Sequence, residues 1–161
     1  MGNLISIQRL KELLNYDPDT GEFTWRVGKR GLYAGDIAGC IAKHHYRVIR
    51  LDNKLYYAHR LAFFWSTGRW PKYVDHKNRC TLDNRFSNLR EASMSENLMN
   101  ARRPRNNTTG YKGVWFDKNV GRYRAEVSGD HIPGFFVTAK EAHEAYMVEA
   151  KKRFGEFARS E

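Results

Sequence analysis

The sequence predicts an α+β protein built from short elements. Three observations carry that prediction. Apolar residues recur at helical spacing in a few short stretches, alternate with period two in several others, and Gly, Asn and Asp clusters separate the alternating runs by tight turns, which implies antiparallel pairing. The chain has 161 residues, room for one ordinary domain or a few very small ones. Hydrophobic residues make up 41% and aromatics 14%, which excludes a wholly disordered chain. No run of eighteen apolar residues occurs, so no membrane-spanning helix is expected. Cys40 and Cys80 stand far apart with no CxxC pair, which excludes a disulfide scaffold and a four-cysteine zinc ribbon.

Three modules follow in order. In the first, residues 6–14 read as a short helix with Ile7, Leu10, Leu13 and Leu14 at helical spacing. Asp17 to Gly21 is a turn cluster, and residues 22–27 alternate as a strand with Phe23, Trp25 and Val27 on one face. Residues 46–51 and 54–57 flank Asp52-Asn53 as a hairpin. Residues 58–67 return to helical spacing, Gly68 supplies the stop, and Pro71 prevents resumption. Residues 1–72 are expected to be a β/α support region. Within it His59 reads as a packed structural histidine, His44 and His45 as loop surface, and Trp25 and Trp70 as core.

The second module, 73–102, opens on a short strand over 73–76 that ends in Asp75 and His76. A polar loop follows. Ser93 and Glu96 form a capping-box pattern that starts a helix over about 94–102. A basic connector, 103–110, carries Arg103 and Arg105, with Arg102 just before it and Lys112 just after. The third module, 111–161, reads as strands over 112–118, 122–128 and 134–137, then a helix opened by Thr138 and Glu141 and running to about 153. In the middle strand Tyr123, Ala125 and Val127 alternate with Arg122 and Arg124, so the apolar set should face the helix and the arginines should face out.

Lys plus Arg number 28 against 18 Asp plus Glu, a formal charge of +10. Such an excess favours a polyanion, because each cation that neutralises a phosphate releases a counterion. Phosphodiester hydrolysis needs a base to deprotonate water and a positive centre to stabilise the phosphate and the departing 3′ oxygen. A neutral imidazole suits the first role. Mg²⁺ suits the second, since it prefers oxygen ligands and takes few from protein. His76, the Asp75 carboxylate and the Asn97 amide oxygen supply such a set, and Asn88 is placed to hold the imidazole.

Val74-Asp75-His76-Lys77-Asn78, Asp83-Asn84-Arg85-Phe86-Ser87-Asn88-Leu89-Arg90 and Glu96-Asn97 resemble the motif of the HNH endonucleases, in its H-N-N variant, and Ala58-His59-Arg60-Leu61-Ala62 resembles the stretch that precedes it in phage members. The resemblance implies a ββα-metal core over 73–102. It implies His76 as general base, Asn88 as the residue orienting it, and Asp75 and Asn97 as ligands of Mg²⁺ or Mn²⁺. It also implies a phage or mobile-element homing enzyme in the bacterial cytoplasm, nicking as a monomer or cutting both strands as a homodimer on DNA. Tyr111-Lys112-Gly113-Val114, the run 121–127 and Thr138-Ala139-Lys140-Glu141-Ala142 resemble the plant ethylene-response-factor type of DNA-binding domain. That similarity implies a three-stranded sheet laid in the major groove of double-stranded DNA, with Lys112, Trp115, Arg122 and Arg124 as contacts. No membrane and no small-molecule cofactor is expected. A non-catalytic DNA-binding regulator that keeps an HNH scaffold, and a protein acting on RNA, are the alternatives.

Overall fold

A computed structural model describes residues 4–28 and 31–160. They form an α+β protein of four α-helices and four small antiparallel sheets. The chain divides into two compact units, residues 1–92 and 93–161.

In the first unit, α1 (Ile7–Leu13) is opened by Ser6, whose hydroxyl accepts from the Arg9 amide at 3.1 Å. The helix stops before Leu14, which turns extended and starts β1 (Leu14–Tyr16). The periodicity hides this strand, because Leu14 fits the apolar stripe of the helix and the alternation of the strand equally well. β1 pairs with β2 (Phe23–Trp25), Leu14 opposite Trp25. β3 (Cys40–Ile41), β4 (Arg47–Leu51) and β5 (Lys54–Tyr57) form a sheet in that order. Asp52 and Asn53 both take positive φ, 43° and 64°, as the expected two-residue hairpin requires. α2 (Ala58–Thr67) ends on left-handed Gly68, whose amide donates to the Phe64 carbonyl.

The chain then enters β6 (Tyr73–His76), which pairs with β7 (Leu89–Ala92). The sequence pattern does not announce β7. Its buried positions include Arg90, and a charged residue on the inner face breaks the apolar rhythm of a strand. Val74 and Leu89 join the same core as Leu10, Phe23, Ile49, Leu61 and Phe64. The packing therefore runs without a seam through the expected boundary at 72/73.

The second unit begins with α3 (Met94–Asn100), opened by the capping box of Ser93 and Glu96. β8 (Val114–Asp117), β9 (Arg122–Val127) and β10 (Asp130–His131) form a sheet in the order β10-β9-β8, and α4 (Ala139–Phe154) packs on it. Val114, Ala125 and Val127 face Ala142, Tyr146 and Ala150, as the alternation of the middle strand requires. The third strand is not the expected 134–137. Ser128 and Gly129 take positive φ and turn the chain at once, so Asp130 lands opposite Val127. Phe136 keeps only a single bridge to Tyr123.

The expected connector is partly structured. Asn107 donates to the carbonyls of Tyr111 and Val114 and accepts from the Thr109 amide, folding 107–111 onto the start of the sheet. Among the described residues no helix is long and apolar enough to cross a membrane.

Candidate active site

The β6–β7 register sets the site. Asp75 lies opposite Arg90 and His76 opposite Leu89. Across the strands the Arg90 Nε donates to Asp75 Oδ2 at 2.8 Å, and both side chains are more than nine-tenths buried. An ion pair this deep is stable only while both partners remain, since each charge alone would be costly to desolvate. The contact to Arg90 therefore fixes the Asp75 carboxylate beside His76.

His76 is buried at 5% exposure. Its Nε2 lies 3.2 Å from Asn84 Oδ1. An amide oxygen can only accept, so Nε2 carries the proton and Nδ1 holds the lone pair of the neutral ring. Burial pushes the imidazole below its ordinary pKa, while the Asn84 bond and the charges of Asp75 and Asp83 push back. The ring is therefore a neutral base near pH 7.

Asn88 was expected to orient this imidazole. Its side chain goes elsewhere. Asn88 Oδ1 accepts from the Asn78 amide at 3.0 Å, and Nδ2 donates to Asn78 Oδ1 and the Asp83 carbonyl. Its carbonyl accepts from the Lys77 amide at 2.9 Å. Asn88 thus closes the long loop at its base and fixes the backbone leaving His76, while Asn84 holds the ring. Asp83 braces the same loop. Its carboxylate accepts from Arg85 and Asn78, and these bonds lower its pKa to about 2.

The amino-terminal hairpin supports Asn84 from behind. The buried Tyr16 hydroxyl donates to the Asn84 carbonyl at 2.8 Å, and the Phe86 amide donates to the Pro18 carbonyl at 3.1 Å. Gly21 passes so close that a Cβ there would meet the Arg85 nitrogen at 2.3 Å. Two further side chains enclose His76. His59, on α2, sets its ring edge-on at 5.1 Å, and Tyr46 lies 6.1 Å away. Burial, with the neighbouring His76 and Arg60, lowers the His59 pKa to about 3, so it stays uncharged beside the base.

Sequence reasoning passed over Asn84, Arg90, His59 and Tyr46 as site residues. Asn84 and Arg90 stood inside the quoted motif with no role attached. His59 is packed, as its sequence setting implies, but nothing in a linear pattern reveals which ring it packs on.

Among the described residues no group of three or more His, Cys, Asp and Glu side chains gathers to hold a metal. Asn97 is exposed on α3, in the second unit.

In that second unit Trp115 lies opposite Arg124 and Asp117 opposite Arg122, all on the sheet face away from α4. The Arg124 guanidinium lies 5.9 Å from the Trp115 ring and 5.0 Å from Phe135. Arg102, Arg103, Arg105 and Arg122 are exposed. Lys112 departs from expectation. It is buried at 6% exposure, and its Nζ donates to the carbonyls of Met99 at 2.5 Å and Ala101 at 2.6 Å, capping the end of α3. A side chain so engaged is not available to a phosphate.

Residues 56–99 match the family model described as HNH endonuclease. The matched segment starts in β5 and contains Asp75, His76, Asn88 and Asn97 together with His59, Asn84 and Arg90. Over 67 residues the chain is 34% identical to Protein 3.8 of Escherichia phage T7, a stretch covering 40% of this chain and 55% of that protein. The chain thus spans about half the length of the curated relative it matches. No solved structure matches the chain.

Proposed function

We propose that the protein is a divalent-metal-dependent endonuclease that hydrolyses phosphodiester bonds in duplex DNA, of the phage homing type. The observation that carries this reading is the setting of His76. It is a buried, neutral imidazole whose Nε2 is occupied by Asn84 and whose neighbour is a carboxylate clamped by Arg90, within a segment matching the HNH endonucleases.

His76 Nδ1 takes a proton from water. The resulting hydroxide oxygen bonds to phosphorus as the P–O3′ bond breaks, and the 3′ oxygen leaves and gains a proton from solvent. Asp75 and Asn97 would hold Mg²⁺ or Mn²⁺. When bound, that cation would offset charge on the phosphate and on the departing oxygen. Asn88 keeps the loop that presents His76 closed at its base. The outer face of β8–β9, with Trp115, Arg122 and Arg124, and the exposed Arg102, Arg103 and Arg105 would hold the duplex, in the manner of an ethylene-response-factor-type sheet. One chain carries one such centre, so a monomer nicks, and a break in both strands takes a homodimer or two encounters. A phage-encoded protein acting in the host cytoplasm fits the T7 relative.

The Asp75–Arg90 ion pair favours a second reading, a DNA-binding regulator in which that carboxylate serves the fold alone. A plasmid-nicking assay separates the two. The nuclease converts supercoiled DNA to open circles with Mg²⁺, stops in EDTA, and loses roughly 100-fold or more of its rate in His76→Ala while still binding DNA. A His76→Ala protein that cuts at the original rate would overturn the assignment of the base.

A further inference from the structure

We propose that Tyr46 is a further catalytic residue, its phenol donating a hydrogen bond to a non-bridging oxygen of the scissile phosphate. The inference rests on the nuclease reading above and adds a residue that the H-N-N pattern does not contain.

Tyr46 ends the turn between β3 and β4. That turn is pinned on both sides. The Ala42 amide donates to the Tyr46 carbonyl at 2.8 Å, and the Thr81 hydroxyl, from the loop after His76, donates to the His45 carbonyl at 2.6 Å. The second bond ties the turn to the loop that presents the base. The Tyr46 ring then packs among three others, 5.2 Å from His59, 5.6 Å from Tyr57 and 6.1 Å from His76. These contacts fix the ring and leave the hydroxyl unused. Among the described residues the Tyr46 hydroxyl makes no hydrogen bond.

The distances suit the chemistry. A general base sits about 2.6–3.2 Å from the water it deprotonates, and the phosphate lies just beyond that water. The Tyr46 ring centre lies 6.1 Å from that of His76, and the Asp75 charge acts on the Tyr46 phenol, which places it beside the residues of the proposed centre. Burial raises the Tyr46 pKa, with smaller contributions from Tyr57 and Asp75, so the phenol keeps its proton and remains a donor.

Asp75 can only accept, Arg90 Nε is directed to Asp75, and Asn84 Oδ1 is directed to His76. Charge that builds on the phosphate oxygens in the transition state is best met by a donor fixed in advance. A neutral phenol supplies it without bringing a second cation beside the metal position.

The test is Tyr46→Phe, which removes the oxygen and keeps the ring. It is read in the Mg²⁺ plasmid-nicking assay alongside duplex affinity and the melting temperature. The expected result is a rate roughly 10- to 100-fold lower, with affinity and melting unchanged. Tyr33→Phe, which removes a phenol that is 77% exposed, keeps the original rate. Tyr46→Phe at the original rate overturns the proposal, and so does a rate that falls only in step with the melting temperature, which marks packing. An unmutated protein that does not nick at all defeats the nuclease reading and this inference with it, an outcome distinct from the other two.

Discussion

The two units of this protein carry arginine in opposite ways. In the first, Arg90 lies under the surface at 8% exposure, locked to Asp75 across two strands. In the second, Arg124 sits half-exposed against the rings of Trp115 and Phe135, its nearest carboxylate, Asp117, 3.6 Å away. The first arrangement gives up adaptability for position. A buried ion pair has one geometry, and the carboxylate it fixes cannot wander from the base beside it. The second keeps a cation near solvent, oriented by stacking but able to shift toward a phosphate or a base edge. On the proposed nuclease reading, the reacting centre needs the former and the duplex-holding surface the latter.

Removing each arginine is the most direct way to break the comparison. Arg90→Ala takes the guanidinium from the buried Asp75 carboxylate, at an expected cost of roughly 3–5 kcal/mol. Arg124→Ala breaks a long, solvent-screened contact and should cost less than about 1 kcal/mol. Urea unfolding of the full chain measures both. Equal losses would mean that the two arginines do the same structural work and that the contrast is empty.

Glycines sharpen it one step down. Gly21 and Gly129 both take positive φ, +78° and +91°, so alanine is strained at either by roughly 1–2 kcal/mol. Their surroundings differ. A Cβ on Gly21 would run into the backbone of Asn84 and Arg85, at 2.5 and 2.3 Å, whereas nothing lies within 4 Å of one on Gly129. Gly129→Ala should show the strain alone. Gly21→Ala should cost more, about 2–4 kcal/mol, and should also slow nicking, because the backbone it displaces holds Asn84 on His76. Gly21→Ala with unaltered nicking would mean that the amino-terminal hairpin does not position the site.

The same contrast explains what the sequence could reveal. α2, β6 and the hairpin at Asp52-Asn53 were legible, because apolar rhythm and turn chemistry there agree with the final structure. Asp75 and His76 stand at the end of β6, where the sequence puts the end of a strand. The division of labour inside the loop was not legible. Asn84 and Asn88 are four residues apart and chemically identical, and only the fold decides that one meets the imidazole and the other the backbone. β7 was hidden because its inner face includes Arg90, and the third strand was misplaced because Ser128, not Gly129 alone, adopts the left-handed turn. Lys112 is obscure in the sequence for a related reason. In a list of basic residues a lysine that caps a helix looks the same as one that meets DNA.

That last ambiguity gives the smallest predicted effect. Arg122 is exposed on the outer face, and Lys112 is buried under α3. A cation that meets a phosphate contributes about one unit to the slope of log affinity against log salt. Arg122→Ala should lower that slope by about one and leave stability within about 0.5 kcal/mol. Lys112→Met should do the reverse. The carbonyls of Met99 and Ala101 lose their donor, at a cost of roughly 1–3 kcal/mol, and the salt slope stays where it was. Salt titrations of duplex binding, run beside urea melts on the two variants, read both quantities. A salt slope that falls in Lys112→Met would return that lysine to the DNA and leave the end of α3 without an explanation.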